Sequence, residues 1–378
     1  MSAALAEATE HQGRARVTLT AALASEPSHA YLFRGPRGSG KRAAARAFAA
    51  EVLAAASDEP EDARRRALLD PSPHPDLVWL APTGAQHMVE EVRERVIRAA
   101  AYRPFEGGKR VFVVEAAEAM RDESQNALLK TLEEPPEFVH LILLSSEGEG
   151  LLETVASRCQ VVDFAPLPAE VLERELAEAG ASPDEAAAAA RLAAGDLERA
   201  QLLLGPQGRE LRGDVERCLA AALDGNCASA PWKGLLDRAK AAGDEAEAAA
   251  REALEEESKA GIKRSAKDIA DGAKRAGRRR RTEILALAFE LCATWLRDLA
   301  AVASGAEEVA FNRDRLDVLR TQAAGLDAAA ARHGAELVQE TRRRLDLNVS
   351  EELALEALFF RLERTASDAV MRRPQSPK

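Results

Sequence analysis

Five short apolar runs punctuate the first 165 residues, at 30–33, 76–80, 110–114, 139–144 and 161–164. Each is continuous rather than alternating and is bounded by Gly, Pro or Ser, which predicts strands buried on both faces of a parallel sheet. Segments of helical period lie between them. The clearest are 17–23, closed by Glu26-Pro27, and the alanine-rich 43–53. Two more are 88–100, with Val89, Val92, Val96 and Ile97 near one face, and 124–132, stopped by Pro135-Pro136. The stretch 58–73 is charged and carries prolines, so it reads as a surface excursion, with His74 in the loop that leads to the second strand. Strands alternating with helices predict an α/β domain whose ligands bind at the carboxyl ends of the strands.

After Pro166 the pattern changes. Three short helical patterns at 168–180, 183–195 and 196–204 predict a small all-α lid, and 207–367 reads as helix almost throughout. Strong apolar periodicity at 285–299 and 345–362 marks core helices. The expected domains are therefore 1–165, 166–206 and 207–378. The charge-dense segment 244–281 runs from Glu255-Glu256-Glu257 to Arg278-Arg279-Arg280-Arg281. It reads as a solvated helix laced with intrahelical ion pairs; contact with nucleic acid or an acidic partner is the sharper alternative. The tail 371–378 is expected to be disordered.

Composition narrows this picture in three ways. A net charge of −11 over 378 residues means that any nucleic-acid contact must be local. The four cysteines (Cys159, Cys218, Cys227, Cys292) are scattered without C-x-x-C spacing, so reduced and mostly buried thiols are expected. Neither a basic, hydrophobic leader nor an apolar run of membrane-spanning length is visible, which predicts cytoplasmic residence.

The candidate chemistry starts where strand 30–33 meets helix 43–53, in Gly35-Pro36-Arg37-Gly38-Ser39-Gly40-Lys41-Arg42. Strand, glycine loop and helix form the context in which G-x-x-x-x-G-K cradles phosphate. The glycines let successive N–H groups turn inward, and the helix N-terminus adds partial positive charge. Gly35, Gly38, Gly40 and Lys41 are thus candidate nucleotide ligands, with Lys41 reaching the terminal phosphates. The next residue is ordinarily a Ser or Thr that ligates Mg²⁺. Here it is Arg42, a fixed cation with no acceptor, which cannot hold the metal. Glu115 stands where a metal-binding Asp belongs, one methylene longer, and Ala116 stands where an activating acid belongs. Glu118, two residues on, should point to a different side of the turn. Three departures at one site predict little or no ATP hydrolysis; an ordinary ATPase with unusual residues is the alternative. Ser145 and Ser146 end a strand facing the same loop, where they could report on a terminal phosphate or simply form a turn. Arg158 follows a short helical stretch, 151–156. Spacing alone leaves open whether it is a solvated rim residue or one that stabilises phosphoryl charge in a neighbouring subunit.

Three runs carry a resemblance: Ser28-His29-Ala30-Tyr31-Leu32-Phe33, then Asn126-Ala127-Leu128-Leu129-Lys130-Thr131-Leu132-Glu133-Glu134-Pro135-Pro136, then Ser157-Arg158-Cys159. With them, residues 10 to about 205 resemble bacterial clamp-loader subunits of the AAA+ superfamily. The likeness continues more loosely to Leu347-Asn348-Val349 and Leu353-Ala354-Leu355-Glu356, which look like that family's last collar helix. The Gly-Lys-Arg loop ending and Ala116 separate the chain from the tau/gamma motor subunits and align it with the non-motor branch. What the resemblance implies is an AAA+ P-loop domain, a helical lid and a helical collar. It implies a five-membered ring with tau/gamma and delta subunits of DNA polymerase III, which opens the sliding clamp and places it on primed DNA. Arg158 would project into the ATP site of the adjacent motor subunit. ATP or ADP would be the ligand of the Gly35–Lys41 loop. In the lid, Glu198 stands at the place of the family's nucleotide-sensing arginine, with Arg199 beside it. Many relatives carry a four-cysteine zinc module, but residues 55–75 hold no cysteine, so no zinc is expected. An active motor-type ATPase and a stand-alone DNA-binding protein using residues 259–281 are the rival readings.

Overall fold

A computed structural model describes residues 2–82, 86–146, 150–259, 265–345 and 349–371. It divides into two compact units, Met1–Leu167 and Pro168–Lys378. The first is α/β. Its strands are β1 (Ala30–Arg34), β2 (Leu77–Leu80), β3 (Arg110–Val114), β4 (Val139–Ser145) and β5 (Gln160–Asp163). They pair in parallel in the order β2-β3-β4-β1-β5, so β1 lies inside the sheet between β4 and β5. Alternate residues of the apolar runs feed opposite faces. Tyr31, Phe33, Val111, Val113, Ile142 and Leu144 pack under helix Lys41–Ala55. Leu32, Phe112, Val114, Leu141 and Leu143 face the other side with Leu128 and Leu132 of helix Asp122–Glu133. A sheet covered on both faces has no solvent side, which is why its strands read as unbroken apolar runs.

The expected strands are all present, and three local readings need correction. The stretch 58–73 holds a helix, Pro60–Leu68. Proline opens its first turn, and Ala63 and Ala67, one turn apart, are buried. Arg64 fastens it to Glu51 of helix Lys41–Ala55 at 2.7 Å. A further helix, Ala3–Ala8, precedes the expected N-terminal one; Ser2 caps it and Leu5 is fully buried. The helical stretch after β2 opens into wider turns at Arg93–Arg98. Its buried residues are Val92, Val96 and Ala100, each four apart, a spacing that a wider turn keeps on one face.

The second unit is helical in every described element. Helices Ala169–Glu178, Pro183–Ala193 and Leu197–Leu204 come first. Arg191 ties the middle one to the Ala310 carbonyl, and Arg199 is ion-paired with Glu290. The core beyond them gathers around helix Ala266–Ala303, where Trp295 is buried and donates to Gln322 at 2.9 Å. Buried Asp298 accepts from the Phe311 and Asn312 N–H groups, and Arg212 grips Asp314 through both guanidinium nitrogens. The 244–281 segment is not one helix. It is divided between Lys233–Lys259 and Ala266–Ala303, which run antiparallel. Leu347, Asn348 and the tail from 372 lie outside the described residues.

Candidate functional site

The glycine loop leaves β1 at its carboxyl end, as a phosphate cradle should. Gly35 donates to the Ser145 carbonyl at 3.2 Å and passes so close to the chain that a Cβ there would lie 2.2 Å from the Phe164 oxygen. Gly38 and Gly40 take φ of +67° and +85°, which their lack of a side chain permits. Helix Lys41–Ala55 starts immediately afterwards. The loop is fastened from behind by a residue the sequence reading passed over. Gln12, buried, donates to the Ser39 and Ala165 carbonyls at 2.9 and 2.8 Å and accepts from the Ala165 N–H at 2.9 Å. No local signal marks Gln12, because its partners sit 27 and 153 positions away.

Lys41 is buried and its Nζ donates to the Pro36 carbonyl at 2.9 Å. Arg42 turns to the end of β3, where its Nε donates to Glu115 Oε1 at 2.6 Å and its Nη2 to Asp70 Oδ2 at 3.1 Å. Trp79 Nε1 donates to the same Glu115 oxygen. Arg46, one turn along the helix, pairs with Asp70 at 2.9 Å and lies 4.3 Å over the Trp79 ring. Burial lowers the proton affinity of Arg46, and Asp70 works against that shift. The two expected departures, Arg42 and Glu115, are therefore a single ion pair. The guanidinium occupies one oxygen of the carboxylate that would otherwise face a metal, and its charge opposes any second cation there. These residues do not fit a bound Mg²⁺.

The remaining predicted residues cluster at the same edge. Ser145, buried, ends β4 in register with Arg34 of β1. The Ser146 N–H donates to Glu118 Oε1 at 3.1 Å. Glu118, expected to point to a different side, reaches the end of β4, because Ala116 turns the backbone at φ +47°. Gly35, Gly38, Gly40, Lys41, Arg42, Glu115, Ser145 and Ser146 thus meet at the carboxyl ends of the strands.

Arg158 does not join them. It sits two residues before Gln160, which is level with Tyr31, whereas the loop begins after Arg34, level with Asp163. Three residues of strand separate these levels by about 10 Å, so Arg158 lies at the amino edge of the sheet. There it donates to the Thr154 carbonyl at 2.8 Å and to Glu133 at 2.6 Å, with about a third of its side chain exposed (35%). The other two signature runs converge on this edge. His29 Nε2 donates to the Leu132 carbonyl at 3.1 Å, Ser28 Oγ donates to Gln160 at 3.0 Å, and His140 Nδ1 donates to the Ser28 carbonyl at 2.9 Å. Burial pushes the neighbouring Cys159 thiol up to about 12, so it is held protonated and unreactive. In the second unit, Arg199 is committed to Glu290.

Comparison with known proteins bears mainly on the α/β unit. The family described as "DNA polymerase III, delta subunit" matches residues 13–168. The chain is 37% identical to the DNA polymerase III subunit delta' of Pseudomonas aeruginosa over 219 residues, 55% of this chain and 65% of that one. It is 34% identical to the subunit tau of Bacillus subtilis over 42% of this chain and 29% of that one. The matches thus span less than two thirds of either relative. Among solved structures it is similar to a gamma-subunit-related protein of Thermotoga maritima, with a TM-score of 0.42 and 15% identity over 93% of this chain and 99% of that one. No described helix is long and apolar enough to cross a membrane. Over its α/β unit the chain is thus similar to delta-type and delta'-type subunits of DNA polymerase III.

Proposed function

We propose that this chain is the non-motor, stator subunit of a clamp loader. In this role it joins tau/gamma and delta subunits, helps place a sliding clamp on primed DNA, and leaves its own pocket without turnover. Residues 166–206 would serve as the lid and 207–378 as the collar through which the ring assembles. The observation that carries the reading is the Arg42–Glu115 ion pair, which puts a fixed internal cation where hydrolysis needs a metal. The backbone cradle is intact around Gly38 and Gly40, so ATP or ADP is the ligand it would take. The placement of Arg158 gives the second half. An arginine at the amino edge is of no use to the loop at the carboxyl edge, yet the third of it that is exposed stands where a neighbouring subunit can present phosphate to its planar fork.

The test has two arms. In the reconstituted complex, Arg158→Ala should assemble normally while turnover at the site it faces falls on the order of 10³-fold, the usual worth of such an arginine. Unchanged turnover would refute the trans role. The isolated chain with magnesium and ATP should release no phosphate above background. Brisk release that disappears in Lys41→Ala would favour a motor-type ATPase instead.

A further inference from the structure

The longest helices of the second unit, Lys233–Lys259 and Ala266–Ala303, pair as an antiparallel hairpin. Its base is anchored by buried Leu235 and Ala239 and by Arg238, which donates to Glu210 and Asp214. Beyond that the buried seam is thin. It consists of Gly243 and Leu254 on one arm and Gly272, Ala273 and Gly277 on the other. The backbones touch at the two glycines: a Cβ on Gly277 would meet the Gly243 oxygen at 2.8 Å, and one on Gly243 would meet the Gly277 oxygen at 2.9 Å.

The arms carry opposite charge. From 244 to 257 the first has seven carboxylates and one arginine; from 266 to 281 the second has seven lysines and arginines against Asp268 and Asp271. Part of the basic set is consumed locally, since Arg279 and Arg280 pair with Glu283, and Arg281 with Glu351. The rest is not. Lys267, Lys274 and Arg278 are exposed, Arg275 is half-exposed, and none of the four has an ion-pair partner among the described residues. At 100° per residue, Lys267, Lys274 and Arg278 fall within about 40° of one another, and Arg275 borders them, along about 16 Å of helix. Asp271 is the carboxylate on that face.

The geometry points to this face as a docking strip for the phosphate backbone of duplex DNA, with Lys274 and Arg278 as its central contacts. Charge and shape choose the occupant. A straight row of cations, outnumbering the one carboxylate of Asp271 on its face, matches an extended polyanion that offers phosphates at short, regular intervals. The acidic first arm repels the same polyanion, so it can approach from one side only. Among the described residues of the hairpin from 244 to 281, no large apolar side chain is exposed to meet a protein partner. Such a contact is independent of sequence and serves to position the assembly on its substrate. It rests on the clamp-loader reading, in which primed DNA is the substrate, but it is tested apart from Arg158.

The experiment measures the affinity of the full-length chain for a 30-base-pair duplex between about 50 and 200 mM salt. Wild type should bind with steep salt dependence. Lys274→Glu/Arg278→Glu should weaken binding at least 10-fold at the lowest salt and reduce the slope of log K against log salt by about 2, near 0.9 per lost contact. The milder Lys274→Gln/Arg278→Gln should show the same trend with native helicity. Glu255→Gln/Glu256→Gln should bind as tightly as wild type or more so. No binding by wild type, or an unchanged affinity and slope in both double variants, would overturn the proposal. Displacement of DNA by polyglutamate at equal charge concentration would overturn it in favour of an acidic protein. ATPase of the reconstituted complex containing the double variants keeps the failure of this strip distinct from failure of the stator reading.

Discussion

Around the glycine loop, Arg42 and Arg46 are closed onto Glu115 and Asp70, and Lys41 onto its own loop, while along the second hairpin arm Lys274 and Arg278 face water with nothing opposite them. The residue types are the same and the consequences differ. A cation fixed by a carboxylate across a tertiary contact becomes part of the architecture and blocks a site. A cation left uncompensated on a regular helix stays available to whatever arrives. Which one a given arginine becomes depends on the residue opposite, and that residue is often far away in the chain. Glu115 is 73 positions from Arg42.

If the loop region is architecture, it should break when its close contacts are disturbed, and the arm should not. The heaviest blow is Gly35→Ala. Its new methyl would need the Phe164 backbone to move from 2.2 Å, so a loss of about 3 kcal/mol or more is expected in urea unfolding. Next is Gln12→Ala, which strands two carbonyls and one N–H behind the loop and should cost about 2–3 kcal/mol. Acid should separate the two units more gently. Burial lowers the pKa of His74, His87 and His140 below the ordinary 6.5, and all three belong to the α/β unit. The folded form therefore refuses protons that the unfolded chain accepts. Stability from these groups is complete above about 6.5 and drains as pH falls below it, at up to about 1.4 kcal/mol per pH unit for each histidine. The second unit has only His333, which is exposed. Tryptophan fluorescence from Trp79 against that from Trp232 and Trp295 should show the α/β unit unfolding first between pH 7 and 5. Smallest of all, Lys274→Ala/Arg278→Ala should leave the melting temperature where it was. A large drop there would mean that the arm's cations are structural after all.

Much of this was legible in the sequence for a plain reason: a parallel sheet covered on both faces writes itself as unbroken apolar runs, and a glycine loop between strand and helix has few other uses. The strands, the loop and the switch to helix after Pro166 all rest on such local signals. What escaped depends on long-range contacts. Helix Pro60–Leu68 hid behind charge and proline because its buried stripe is two alanines. Gln12 is an ordinary glutamine until Ser39 and Ala165 fold against it. Arg42 and Glu115 were each visible as departures, but their ion pair required the sheet to bring them together. The division of the 244–281 segment into two helices was masked by charge that runs smoothly from acidic to basic.

Two backbones that meet at Gly243 and Gly277 also fix how the hairpin can change length over evolutionary time. Adding one residue to the second arm between this crossing and the tip would turn everything beyond it by about 100° and swing Lys267 and Lys274 toward the acidic partner. Growth or trimming that keeps the cations facing outward has to come in steps of about seven residues, two whole turns, matched on both helices. Insertions of other sizes there should be found only where the outward charge has been lost as well.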